Sequence, residues 1–146
     1  MRNTILTAAL GVLTLWPAQA QSNAPAQKPQ PYQVEWVYRV KWGYFDEWYA
    51  LFNKYQIPIL DREKEEGLVT KYVVQRGGGH VSEGWDLRVL VYYKSREAQG
   101  SGRGIPAKLF PDQETFRKEE QQRWRMTDGH WDRPFTEVDP HTQAAK

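Results

Sequence analysis

Arg39, Asp86 and Arg88 carry the most usable chemistry in this 146-residue chain. A guanidinium presents a planar fork of donors that matches a carboxylate. Arg39 and Arg88 could therefore hold an anionic group, or form a charge network with Asp86 across a sheet. Tyr92 adds an aromatic ring and an exchangeable proton, and His80 is a second candidate for proton transfer. In an enzyme, Arg39 or Arg88 would stabilise an enolate or carboxylate. Beyond these groups the chain has no catalytic signature. It has no Gly-x-Ser-x-Gly elbow, and Ser82, Ser95 and Ser101 have no triad context. Gly77-Gly78-Gly79 and Gly100-Ser101-Gly102-Arg103-Gly104 are not followed by the Lys-Ser/Thr of a phosphate cradle and read as flexible linkage. His80 with Glu83, and His130 with Asp132, supply two metal ligands each and lack the third and fourth. No metal and no cofactor is expected. His130-Trp131 reads as a packed aromatic corner, and His141 as part of an inert tail.

These residues need strands to position them. From Val34 to Trp42 apolar and polar residues alternate with period two, which predicts a strand. Leu68–Arg76 and Trp85–Tyr93 alternate in the same way. Phe45, Trp48, Tyr49, Phe52, Tyr55 and Ile59 follow near-3.6 spacing and predict a helix with one aromatic stripe. Asp46 and Glu47 suit its positive end, Pro58 should kink or split it, and Gly67 should stop it. Asp112 is an N-cap for a second helix reaching Met126, anchored by Phe116 and Trp124. His130–Asp139 supplies a weak last strand interrupted by Pro134. The stretch Lys94–Pro111 reads as a long connection without structure of its own, a lid or a poorly ordered loop.

The order strand, helix, strand, strand, helix, weak strand is the ferredoxin-like split βαβ pattern, an α+β fold with an antiparallel sheet and two helices on one face. The first and third strands then lie side by side at the sheet centre, bringing Arg39, Asp86 and Arg88 together. The side beneath the helices should carry Trp36, Tyr38, Val40, Leu68, Tyr72, Val74, Leu87, Val89 and Val91. The opposite side should carry Val37, Arg39, Lys41, Val69, Lys71, Val73, Gln75, Asp86, Arg88, Leu90 and Tyr92.

At its N-terminus the chain has Arg2, an apolar run from Ile5 to Trp16, and Ala18-Gln19-Ala20 before Gln21. That is the arrangement of a cleaved signal peptide, residues 1–20, and predicts a periplasmic or secreted protein. The apolar run is too short for a membrane span, which takes roughly 20 residues. Residues 21–31 hold three prolines and no apolar periodicity and read as a disordered linker. The α+β domain occupies 32–139, and 140–146 is a disordered tail. The absence of cysteine excludes disulfides, thiolate chemistry and a lipid-anchored cysteine. The core must then be aromatic, and seven Trp, eight Tyr and five Phe supply it. A net charge of +2 with interspersed signs, as in Asp61-Arg62-Glu63-Lys64-Glu65-Glu66, argues against nucleic acid.

The segment Val37-Tyr38-Arg39-Val40-Lys41-Trp42-Gly43-Tyr44-Phe45-Asp46-Glu47-Trp48 resembles the opening of dimeric α/β-barrel proteins, the antibiotic-biosynthesis-monooxygenase-like and stress-responsive barrel domains. Trp42 stands where those domains usually have Pro. The likeness covers roughly Val34 to Tyr93, and its motif is structural. It implies a homodimer in which two sheets enclose a cavity. There Arg39, Asp86, Arg88 and Tyr92, with His80 nearby, would bind a small anionic or aromatic organic ligand. Two other readings stand beside it: a cofactor-independent monooxygenase or isomerase acting on an aromatic or polyketide-like substrate, and an envelope protein-interaction module.

Overall fold

A computed structural model of the chain describes residues 31–78 and 84–141. The alternating segments form strands β1 (Tyr32–Val40), β2 (Val69–Arg76) and β3 (Leu87–Tyr93), and the last strand is β4 (Thr127–Phe135). All pairings are antiparallel, in the order β2-β3-β1-β4, so β1 and β3 lie at the centre as the sequence predicts. Helix α1 spans Phe45–Glu65 and α4 spans Gln113–Met126; between β3 and α4 lie the short helices α2 (Arg96–Ser101) and α3 (Ile105–Leu109). This is an α+β ferredoxin-like architecture.

The helices cover one face of the sheet. Val34, Tyr38 and Val40 of β1 and Leu87, Val89, Val91 and Tyr93 of β3 pack there against Trp48, Phe52 and Leu60 of α1 and Met126 of α4. The aromatic stripe is the mechanism. Trp48 and Phe52 are fully buried, stack on each other at 5.3 Å, and both contact the Tyr38 ring. Each such ring removes a large apolar area from water, which is how a chain without cross-links holds one core. The nine residues expected beneath the helices all lie there, buried or half-buried.

Four expectations are corrected. Val69 belongs to the core at 1% exposure, not to the open face, because an irregularity between Val69 and Lys71 shifts the β2–β3 register. Pro58 does not split α1: apolar anchors on both sides of it, Phe52 and Tyr55 before and Leu60 after, hold one helix together despite the missing donor. Lys94–Pro111 is not a structureless loop. Ser95 caps α2 by accepting from Ala98 N, and Ala98 and Ile105 bury their side chains. The last strand is nine residues long, and Pro134 is tolerated because β4 is an edge strand.

Both helix boundaries follow from local chemistry. Gly67 adopts φ +71°, where L side chains are strained, while its N–H bonds Lys64 O and Leu68 N bonds Glu63 O. This pair of bonds is the Schellman stop. Asp112 caps α4 by accepting from Thr115 N at 3.0 Å. No helix among the described residues is long and apolar enough to cross a membrane. The N-terminal leader and linker, residues 1–30, lie outside the described residues, as do 142–146 of the tail.

Candidate functional site

The sheet face away from the helices carries four of the residues singled out by chemistry, Arg39, Asp86, Arg88 and Tyr92, but each is engaged separately. Arg39 pairs with Asp128 at 2.6 Å. Arg88 donates to Gln75 Oε1 at 2.5 Å and to Glu35 Oε1 at 3.2 Å, and its guanidinium lies over Trp85. Asp86 turns to the backbone, accepting from Val40 N at 2.7 Å. In place of a mutual Arg39–Asp86–Arg88 cluster, Arg39 ties β1 to the start of β4, Asp86 holds the end of β1 to the entry of β3, and Arg88 ties β3 to β1 and β2. Tyr92 is buried on this face between Lys71 and Phe135, and donates its hydroxyl to Glu137 at 2.6 Å. His80 and Glu83 lie outside the described residues.

What the structure gathers instead lies on the helix side, where α1, α2 and α4 meet β1 and β4. A cleft of about 290 Å3 is lined by Trp36, Tyr38, Gln56, Tyr93, Gln99, Arg123, Trp124, His130 and Asp132. Register explains half of that wall. Tyr38 opposes His130 and Trp36 opposes Asp132 across the β1–β4 ladder, so all four project to the same face. The Tyr38 and His130 rings stack at 4.3 Å, and Trp124 meets His130 edge-on at 5.3 Å. His130 Nδ1 donates to Val37 O at 3.1 Å, which leaves Nε2 beside Asp132 Oδ1 at 3.2 Å.

Arg123 closes the inner end. Its side chain is 2% exposed and sits among the rings of Tyr38, Trp48, Phe52 and Trp124, at 4.9 to 6.0 Å. Nε and Nη2 donate to the two carboxylate oxygens of Glu120 at 2.9 and 2.8 Å. Burial opposes the charge, but Glu120 outweighs it, and the guanidinium is held more firmly protonated than usual. Nη1 has no hydrogen-bond partner among the described residues. An unmet buried donor costs about 1–3 kcal/mol, so an acceptor brought in by a ligand would recover that energy. Burial also pushes the Tyr38 phenol up, against the opposing pull of Arg123, and it pushes Tyr93 up with help from the Glu63 charge. Both hydroxyls therefore stay protonated at neutral pH and can donate.

A larger depression of about 430 Å3 lies at the β1–α1 turn, lined by Lys41, Trp42, Phe45, Asp46, Arg76 and Asp86 among others. There Asp86 is already bonded to Val40 N and Arg76 lies over the Phe45 ring at 4.2 Å. Among the described residues no buried polar group with an unmet bond lines it, so the smaller cleft is the better candidate. No group of three or more His, Cys, Asp or Glu among the described residues could hold a metal.

The sequence reading passed over Arg123, because an arginine amid Arg117-Lys118-Glu119-Glu120-Gln121-Gln122 reads as solvent-facing. The signal that could have found it is spacing. Phe116, Arg123 and Trp124 follow one helical face at i, i+7, i+8. His130 and Asp132, weighed as a pair of metal ligands with His130 otherwise read as part of a packed aromatic corner, share a strand face by period two.

The fold thus defines a class: a ferredoxin-like α+β domain with a cleft between helices and sheet. Solved structures agree. A NIPSNAP family protein from Agrobacterium tumefaciens matches with a TM-score of 0.51 at 19% identity, over 77% of this chain and 90% of that one. A candidate antibiotic biosynthesis monooxygenase from Bacteroides thetaiotaomicron matches with a TM-score of 0.51 at 12% identity, over 75% and 91%. A dimeric ferredoxin-like protein from an uncultured marine organism gives 0.51 at 9% identity, over 75% and 90%. At such identities the likeness establishes the fold. No protein-family model and no curated protein matches the chain.

Proposed function

We propose that this chain is an exported, homodimeric protein that binds a small organic molecule in the cleft between α1, α4 and the sheet. The observation that carries the reading is the buried Arg123 at the inner end of an aromatic-walled cleft, with its Nη1 lacking a hydrogen-bond partner among the described residues. Cavities with a few convergent polar groups are where small molecules bind. Export rests on the N-terminal leader, Arg2 to Ala20. The dimer rests on the open face of the sheet, where Val73, Leu90, Trp131 and Phe135 form a partly exposed apolar band flanked by Arg39, Glu35 and Arg133. A neighbour of the same fold is described as dimeric, which is consistent with a dimer here. Native mass spectrometry of the purified full chain tests both parts: a dimer carrying extra non-covalent mass is expected, and a bare monomer would overturn the proposal.

A second reading is favoured by His130. Its Nδ1 is pinned by Val37 O, its Nε2 faces the Asp132 carboxylate, and Tyr38 stacks on its face. That arrangement suits proton transfer to a bound aromatic substrate, with Arg123 stabilising an enolate oxygen, in a cofactor-independent oxygenase or isomerase. The neighbour described as a candidate monooxygenase is consistent with it. Oxygen uptake or isomerisation with a panel of phenolic and ketonic substrates, lost in His130→Ala, would establish it. No turnover across the panel would leave binding as the function.

A further inference from the structure

We infer that the cleft is a seat for the carboxylate of a small aromatic acid, with Arg123 Nη1 as its principal donor. The inference rests on the reading of the cleft as a ligand site and names what enters it. Donors outnumber acceptors at the inner end. Arg123 Nη1 has no partner among the described residues, and Tyr38 and Tyr93 line the same wall. Burial keeps both phenols protonated, so each offers an O–H to an oxyanion.

The nearby carboxylates do not close the site to an anion. Glu120 accepts from Nε and Nη2, the other two nitrogens of the Arg123 fork, and so leaves the Nη1 N–H groups for a second acceptor. One guanidinium between two carboxylates is within its five-donor capacity. The Asp132 side chain is 58% exposed and engaged at His130 Nε2, where water screens its charge. Trp36 and Trp124 supply flat apolar walls for a ring. A cleft of about 290 Å3 is at the small end of ligand sites, which suits a single-ring acid.

The test titrates the full chain with benzoate and with its uncharged isostere benzamide, by calorimetry. Indole N–H shifts of Trp124 in nitrogen-15 spectra locate the binding. Benzoate should bind at least tenfold more tightly than benzamide and move the Trp124 resonance. Arg123→Gln should remove that preference. Should Arg123→Gln fail to fold, Glu120→Gln gives an independent measure: removing the competing carboxylate should tighten benzoate threefold or more and leave benzamide unchanged. Equal affinities for the two probes, or no gain in Glu120→Gln, would overturn the carboxylate assignment while leaving the cleft as a ligand site. No saturable shift at Trp124 with either probe would overturn both.

Discussion

Arg123 and Glu120 stand one turn apart on α4, and the carboxylate takes two of the three guanidinium nitrogens, at 2.9 and 2.8 Å. The pair lies beneath four aromatic rings, and Glu120 itself remains one-fifth exposed. A contact of this kind is a poor source of stability, because desolvating the ions offsets much of their attraction. Arg123 is then held in place by its aliphatic stem and the rings around it, while its third nitrogen has no partner among the described residues. That separation of roles leads to the first prediction.

Arg123→Met should leave the midpoint of urea unfolding within about 1 kcal/mol of the parent, since methionine refills the stem volume and Glu120 can reach water. Arg123→Ala should cost about 2–4 kcal/mol, because it opens a void beside Trp48 and Phe52. If the two variants lost stability equally, the ion pair rather than the packing would be what holds α4 to the sheet.

Asp86 was read as a ligand-binding residue and is found bonded to Val40 N at the end of β1, 2.7 Å away. Asp86→Ala should therefore behave as a stability variant. It leaves a partly buried N–H unmet, at a cost of about 1–2 kcal/mol in chemical unfolding. Ligand occupancy measured by native mass spectrometry should not change at saturating ligand. Lost occupancy with unchanged stability would return Asp86 to the binding machinery.

Trp131 is 41% exposed on the open sheet face, with the guanidinium groups of Arg39 and Arg133 at 5.7 and 5.9 Å from its ring. A large exposed aromatic between two cations is a reasonable centre for a contact between copies. Trp131→Glu should convert the proposed dimer to a monomer in sedimentation velocity at micromolar concentration. Its own fold should be little affected, because the ring makes no part of the core beneath the helices. A dimer that survives the substitution would place the interface elsewhere.

Much of this architecture was legible because period two and period 3.6 report burial directly. Trp36, Tyr38, Val40, Leu87, Val89 and Val91 lie beneath the helices as their alternation requires. Val69 was misplaced for a physical reason: a register shift of the backbone leaves no mark in side-chain types. The cleft was hidden differently. Arg123 is a charged residue in an inward position, which residue type alone assigns to solvent even though its spacing from Phe116 marks the inward helical face. Tyr38 and His130 lie 92 positions apart in the sequence, a gap that only strand pairing closes. The Arg39–Asp86–Arg88 cluster failed because adjacency of strands does not decide partners. Asp128, Gln75, Glu35 and the Val40 amide were each nearer to hand.

Glu63, near the end of α1, is 7% exposed, and its Oε2 has no hydrogen-bond partner among the described residues. Burial, with the Glu66 charge adding to it, pushes its pKa up to about 7. The unfolded chain releases this proton near the ordinary glutamate value of about 4.3. Between those two values the folded state binds more protons than the unfolded one, so stability falls as pH rises. The contribution is complete below about pH 4 and is lost as pH passes through 7, by up to about 3 kcal/mol. Thermal unfolding should thus be lower at pH 8 than at pH 5.5 on account of this group. Glu63→Gln, which keeps the shape and removes the titration, should raise the pH 8 midpoint and flatten the dependence. Gly102→Ala is the companion test, because a Cβ there would run into the buried Glu63 side chain at Oε1. It should destabilise the protein at both pH values, and more at pH 8, where the displaced carboxylate is charged. A parallel pH profile for Glu63→Gln and the parent would show that Glu63 is hydrated in solution and that the contact between α1 and the α2–α3 segment carries no proton dependence.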